Sequence, residues 1–334
     1  MPTGSALNRG ENRAEPGDAR WIAAAASLAG RGRGRTAPNP PVGCIIVRND
    51  QVVGRGWTQP GGRPHAEARA IEAAGDITGA TLYTTLEPCA HVSSRGPACA
   101  ELIATARPAR VVIGCHDPDP RTDGRGIAAL EAAGISVVSG VATPVARRSM
   151  AGFLCRQAKG RPHVTLKLAT SLDGRIALPD GSSRWITGSA ARAHAHLERA
   201  RVEMILVGRG TLEADKPELD VRLAGLEARS PGRAVLGHGG VPSGWTAIRS
   251  PDDIARLRHV DHLLVEGGAG AAAAFLAADL VDRLLIYTAP IVVGAGRAAI
   301  GDIGLADLAA AHGRWQLVDE RALGIDRLSI YERV

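Results

Sequence analysis

At 334 residues the chain is long enough for about two domains, each able to bury a core of its own. Hydrophobic residues make up 45% and charged residues 22%, which excludes a disordered or fibrous chain, and no apolar run reaches the roughly 18 residues of a membrane-spanning helix. The net charge of +6 is carried almost wholly by arginine, because Lys159, Lys167 and Lys216 are the only lysines; with aromatics at 3% and no dense basic tract, nucleic acid is not an expected partner.

Residues 1–17 are polar and aperiodic, which predicts a flexible tail. Asp18 and the Ala-rich run up to Gly30 predict a helix capped by Asp18. Glu11, Glu15 and Asp18 ahead of that run argue against a secretory leader, whose first region is basic. Val42 to Arg48 and Gln51 to Trp57, joined by Asn49-Asp50, predict a hairpin. Helices are expected at His65–Ala74, Ala98–Ala106 and Ile127–Ala133. Strands are expected at Thr81–Thr85, Arg110–Gly114 and Ile135–Val138. Ala158 to Pro162 predicts a linker, so the first domain is expected over 18–157. In the second, over 163–334, strands are expected at Val164–Ala169, Met204–Val207, Leu263–Val265 and Leu284–Tyr287, with helices at Ser189–Arg201 and Ala271–Ala278. Alternating strands and helices make both halves α/β.

The five cysteines are Cys44, Cys89, Cys99, Cys115 and Cys155. An odd count without a dense framework predicts a reducing, cytoplasmic compartment and core or metal roles. His65-Ala66-Glu67, then Pro88-Cys89, then Cys99 is the strongest signal in the chain. One imidazole and two thiolates suit zinc, and three protein ligands leave a fourth position for water. Zinc brings the pKa of such a water toward about 7, and Glu67 is placed to shuttle protons without ligating. This is the pattern of zinc deaminases, in which hydroxide attacks an amino-bearing ring carbon. Cys44 and Cys155 are expected in the core; Cys115, beside His116 and Asp117, is the alternative ligand, not the preferred one.

Beyond the metal pattern, Pro38-Asn39-Pro40-Pro41-Val42-Gly43, Thr85-Leu86-Glu87-Pro88-Cys89-Ala90-His91, Asp117-Pro118-Asp119-Pro120 and Gly124-Arg125-Gly126 resemble the bifunctional deaminase–reductase family of riboflavin biosynthesis. The resemblance implies a cytidine-deaminase-like first domain. Its small-molecule substrate would be a phosphoribosylamino-diaminopyrimidine, which loses its ring 2-amino group. Asn39 and His91 would contact that substrate, and Arg95 would lie near its phosphate. Two departures stand out: the loop at Val92-Ser93-Ser94 is one residue longer than usual in the family, and Thr58 occupies a position where the family often has histidine.

In the second half, Val164 to Arg175 is an apolar strand interrupted by Lys167, a charge that needs a partner or ligand. Trp185-Ile186-Thr187-Gly188, Val207-Gly208-Arg209-Gly210-Thr211 and Asp215-Lys216-Pro217 follow. Glu266-Gly267-Gly268, between a strand and a helix, forms an anion site suited to phosphate. Together these segments resemble the family's reductase domain, which implies a dihydrofolate-reductase-like fold and NADPH. The resemblance assigns Ala169, Trp185, Thr211, Asp215 and the turn from Gly268 to the cofactor. It assigns Ser183, Arg199, Leu219, Arg222 and Glu266 to the substrate, with Lys167 at the ribose. Between Arg222 and Glu266 the chain is shorter than the family. The competing readings are a deaminase with a degenerate reductase domain, a nucleic-acid-editing deaminase and a zinc-bound binding module. A homo-oligomer is compatible with the sequence; a membrane partner is not expected.

Overall fold

A computed structural model describes residues 13–334. The expected tail therefore lies mostly outside the described residues. Its last part is held in place: Arg110 donates to the Arg13 carbonyl at 2.9 Å and the Glu15 N–H donates to Asp18 at 2.7 Å. The chain divides into two compact units, Met1–Leu154 and Cys155–Val334.

The first unit opens with helix α1 (Asp18–Ala29), followed by strands β1 (Gly43–Arg48) and β2 (Gln51–Trp57) and helix α2 (Ala66–Ala74). Strand β3 (Thr81–Leu86), helix α3 (Cys99–Ala106), strand β4 (Arg110–Cys115), helix α4 (Arg125–Ala132), strand β5 (Ser136–Ser139) and helix α5 (Thr143–Ser149) complete it. The sheet order is β2-β1-β3-β4-β5. β1 runs antiparallel to both neighbours, and β3, β4 and β5 are parallel. Asn49 and Asp50 both have positive φ, the backbone that a two-residue hairpin turn requires. α1 packs with α5, and α3 with both α2 and α4, around a core that includes Ile22, Ile46, Leu82 and Ile113.

Asp18 is the first residue of α1, not its cap, which is Gly17. Its carboxylate is taken instead by Arg110, with nitrogens at 2.8 and 2.9 Å, and by the Tyr83 hydroxyl at 3.1 Å. Burial raises the pKa of this carboxyl, but the Arg110 bonds overcome that and hold it below the ordinary value.

Helix α6 (Ala151–Lys159) takes up the first two residues of the expected linker. Arg161, also within that stretch, is buried, with nitrogens 2.6 and 3.0 Å from the Asp282 carboxylate. The stretch is therefore fixed by a buried ion pair rather than free.

The second unit comprises strands β6 (His163–Thr170) and β7 (Arg175–Ala177), helix α7 (Ser189–Arg199), strand β8 (Met204–Gly208) and helix α8 (Arg209–Asp215). Then come β9 (Gly232–Leu236), β10 (Trp245–Ile248), β11 (His262–Val265), helix α9 (Ala269–Ala277), β12 (Arg283–Thr288), β13 (Arg297–Ala298), β14 (Trp315–Leu323) and β15 (Asp326–Arg333). The main sheet runs β10-β9-β8-β11-β6-β12-β15-β14. It is parallel as far as β12 and antiparallel beyond. Alternation along β6 sends Leu166 and Leu168 to one face, against Phe275 of α9. Lys167 and Ala169 go to the other, where Ala169 packs with Ala191 and Ala195 of α7. β9 runs into the glycine-rich turn Gly237-His238-Gly239-Gly240.

Two glycines of β2 set the position of α2. A Cβ on Gly54 would lie 2.4 Å from the Ala70 carbonyl, and one on Gly56 would lie 2.3 Å from the Ala66 carbonyl, so the helix rests directly on strand backbone. Gly56→Ala is therefore expected to cost about 1–3 kcal/mol through overpacking. Urea unfolding checks this; an unchanged midpoint would show that α2 is free to move away.

Candidate active sites

Three separate elements deliver the expected zinc ligands. His65 immediately precedes α2, Cys99 opens α3, and Cys89 lies on the turn after β3. His65 Nδ1 is 3.3 Å from Cys99 Sγ and 3.6 Å from Cys89 Sγ, and the three ligand atoms lie within 4.8 Å of one another. Among the described residues this is the only group of three or more His, Cys, Asp or Glu side chains gathered tightly enough for a metal ion. One nitrogen and two sulfurs in this compass fit zinc. Both helices begin at the cluster, so their positive ends favour thiolate there. The Cys99 N–H points at Cys89 Sγ, 3.3 Å away. The hydrogen-bonding contact with Cys99 lowers the Cys89 pKa, whereas the same contact, burial and the neighbouring Glu67 carboxyl raise that of Cys99.

Glu67 lies in the first turn of α2, 3% exposed, with Oε2 3.4 Å from Cys99 Sγ and Oε1 3.5 Å from the Thr84 hydroxyl. Burial raises its pKa above the ordinary carboxyl value, against the lowering effect of His65. A buried carboxyl beside the donor set and outside it is placed to carry a proton.

Asn39 reaches the metal ligand itself: its Nδ2 is 3.1 Å from His65 Nε2 and donates to the Gly62 carbonyl at 3.0 Å. Nδ1 of His91 is buried without a hydrogen-bond partner. Arg95 is exposed and donates to the Gly61 carbonyl at 2.8 Å. The structure adds Arg63, which donates to the Pro97 carbonyl at 3.4 Å across the same rim. The sequence signal for it was a cation two positions before His65. Thr58 is buried, its Oγ1 accepting the Val42 N–H at 2.9 Å, so it serves the backbone rather than a ligand. Cys115 lies outside the cluster: it donates to the Thr85 carbonyl at 3.4 Å, and burial pushes its pKa up to about 11. Cys44 and Cys155 are buried.

In the second unit the charge within β6 finds its partner. Lys167 Nζ is 3.7 Å from Glu266 Oε2, and Arg199 meets both oxygens of the same carboxylate, at 2.8 and 2.9 Å. Lys167 also lies over the Tyr287 ring, whose hydroxyl is 2.8 Å from His194 Nδ1. Glu266 follows β11. The Gly268 N–H donates to Thr211 Oγ1 at 3.2 Å, joining the starts of α9 and α8, while Asp215 ends α8 exposed. Trp185 is 66% exposed, with the Arg192 guanidinium 4.8 Å over its ring, which rules out a core-filling role. Ser183 is half-buried near it in sequence. Leu219 is buried among Val202, Ile205 and Leu264, which leaves its backbone, not its side chain, for a substrate. Arg222 is exposed, and its N–H donates to His196 Nδ1 at 3.2 Å.

Burial would raise the Glu266 pKa, but the charges of Lys167, Arg199 and His196 outweigh it and bring the group to about 2, from an ordinary value of 4.5. Because the folded value is the lower one, this carboxylate stabilises the fold above its unfolded pKa and loses that contribution as pH falls toward its folded pKa. Glu266→Gln leaves two cations uncompensated and is expected to cost about 3–5 kcal/mol at neutral pH. Urea midpoints of both proteins across that acidic range should converge as pH falls; a gap independent of pH would contradict the assignment.

Residues 16–115 match the cytidine and deoxycytidylate deaminase zinc-binding region, and residues 162–243 and 253–326 match the RibD C-terminal domain. The chain is 40% identical over 313 residues to the riboflavin biosynthesis protein RibD of Mycobacterium tuberculosis, covering 89% of this chain and 91% of that one. It is 37% identical over 326 residues to the RibD of Escherichia coli, covering 83% and 89%. A solved diaminohydroxyphosphoribosylaminopyrimidine deaminase/5-amino-6-(5-phosphoribosylamino)uracil reductase from Thermotoga maritima superposes with a TM-score of 0.84 at 31% identity, covering 95% of this chain and 98% of that one. Acinetobacter baumannii RibD superposes with a TM-score of 0.81 at 34% identity, covering 95% and 99%.

Proposed function

Because the chain belongs to the RibD family of riboflavin biosynthesis proteins, we propose that its first unit deaminates 2,5-diamino-6-(5-phosphoribosylamino)pyrimidin-4-one and its second reduces the ribosyl group of the product to ribityl. The observation that carries the first activity is the convergence of His65, Cys89 and Cys99 beside the buried carboxyl of Glu67. In this reading His65, Cys89 and Cys99 hold the zinc, which supplies an acidified water when bound. Exchanging a ring amino group for oxygen takes up one water and releases ammonia, so a proton must leave the water and another must reach the departing nitrogen. Glu67 takes the first and delivers the second. Asn39 and His91 orient the pyrimidine, and Arg95, joined by Arg63, faces its phosphate.

NADPH supplies the hydride for the second reaction, and the protein positions it. Thr211, Gly268, Asp215, Trp185 and Ala169 are assigned to the cofactor. Ser183, Arg199, the Leu219 backbone, Arg222 and Glu266 are assigned to the substrate. Lys167, whose ammonium is held between Glu266 and the Tyr287 ring, faces the ribose. The deaminase covers residues 18–157 and the reductase 163–334. A cytoplasmic location and small-molecule rather than nucleic-acid substrates belong to the same proposal, supported by five unpaired cysteines. Among the described residues no helix is long and apolar enough to cross a membrane. A reading as a nucleic-acid-editing deaminase is not favoured, since RibD relatives align over both halves.

Glu67→Gln keeps the size of the side chain but cannot shuttle a proton. Zinc content should stay at the wild-type level while ammonia release falls by about 10²–10⁴-fold. Near-normal turnover would assign the proton to another group. Cys99→Ala should lose both zinc and ammonia release, and Asp215→Ala should lower NADPH consumption from the deaminated substrate. Paired assays on single preparations should show the two losses separately, because the sites share no side chain. Ammonia release from a wild-type protein that neither binds nor consumes NADPH would show that the shortened second half has lost its role.

A further inference from the structure

Glu87 directly follows β3, two residues before Cys89, and its side chain has no solvent exposure. It is not part of the donor set, and the mechanism does not use it. Its carboxylate accepts four backbone N–H groups: Oε2 from Asp117 at 3.3 Å and Gly124 at 3.1 Å, Oε1 from Gly126 at 3.0 Å and Ile127 at 3.2 Å. His116 Nδ1 lies 3.6 Å from Oε2. The Glu87 N–H in turn donates to the Cys115 carbonyl at 2.9 Å. One carboxylate thus ties the loop after β4 and the first turn of α4, whose N–H groups have no partner within the helix, to the turn that carries a zinc ligand.

The turn is also clamped from the other side. A Cβ on Gly126 would lie 2.0 Å from the Pro88 carbonyl and 3.1 Å from Glu87 Oε1. Pro88, the residue joining Glu87 to Cys89, therefore rests directly on the start of α4. A buried carboxylate is costly unless fully hydrogen-bonded, and here all of its bonds run to the backbone of one loop and one helix end. Such a two-sided attachment fixes the path of the chain into Cys89.

We propose that Glu87 is a positioning residue for the metal: it holds the Pro88-Cys89 turn so that the Cys89 sulfur meets His65 and Cys99 without rearrangement. This rests on the zinc ligand set proposed above. Removing the attachment should weaken metal binding more than it weakens the metal-free fold, because outer partners of metal ligands typically carry about 10–100-fold of affinity.

The test uses the full-length chain and cobalt(II) as a spectroscopic substitute for zinc. Glu87→Gln replaces one acceptor oxygen by an amide nitrogen facing N–H donors, which strands two of the four. Cobalt affinity should fall by about 10–100-fold, the ligand-field bands should shift or weaken, and the rise in melting temperature on metal addition should shrink. A variant whose melting temperature falls equally with and without metal, with wild-type cobalt affinity and spectrum, would overturn the proposal by assigning Glu87 to the fold alone. If that variant does not fold, Glu87→Asp, which keeps the charge but is too short for both sets of bonds, decides: reduced affinity supports the proposal and wild-type affinity overturns it. A wild-type chain that takes up no cobalt or zinc overturns the ligand set and this proposal together, whereas wild-type uptake with an unaltered variant overturns this proposal only.

Discussion

The first unit is built around one requirement: three donor atoms far apart in sequence must reach the same point. His65, Cys89 and Cys99 come from the approach to one helix, a turn after a central strand and the first residue of another helix. No single element can deliver them, so the site exists only when the layers are packed in register. The glycines of β2 let α2 rest on strand backbone, which sets the depth of His65 and Glu67. The parallel pairing of β3 with β4 sets where the chain turns toward Cys89. Metal binding and folding are coupled in such an arrangement, because the donors are scattered in the unfolded chain.

Buried carboxylates perform three different tasks in this molecule, and their partners determine which. Glu266 faces Lys167 and Arg199 and is kept ionised. Glu87 faces backbone N–H groups and connects segments of chain. Glu67 has a thiol and a hydroxyl beside it and no cation among its hydrogen-bond partners, so burial pushes it toward the protonated form. The same side chain is therefore an electrostatic counter-ion, a tether or a proton carrier according to its surroundings.

Much of this was legible in the sequence because the signals were local. The hairpin announced itself by Asn49-Asp50, and the metal cluster by side chains of unmistakable chemistry. The alternation that placed Lys167 in an apolar strand pointed to the buried partner it has in Glu266. Less legible was anything set by tertiary packing. The hairpin β14–β15 reads as a polar run because β14 is a largely exposed edge strand, where charged residues are usual. Asp18 looked like a helix cap, yet its carboxylate is claimed by Arg110, 92 residues away. Arg161 looked like part of a linker because its partner, Asp282, is 121 residues distant. The side chain of Leu219 is taken up by the core, which no motif at that position reveals.

The ligand set is the claim on which the first activity depends, and X-ray absorption at the zinc edge of the purified full-length chain tests it most directly. The expected first coordination shell holds two sulfur scatterers and one imidazole nitrogen, the remainder being light oxygen or nitrogen, with one sulfur fewer in Cys89→Ser protein that retains metal. A shell containing three sulfurs, or none, would contradict it.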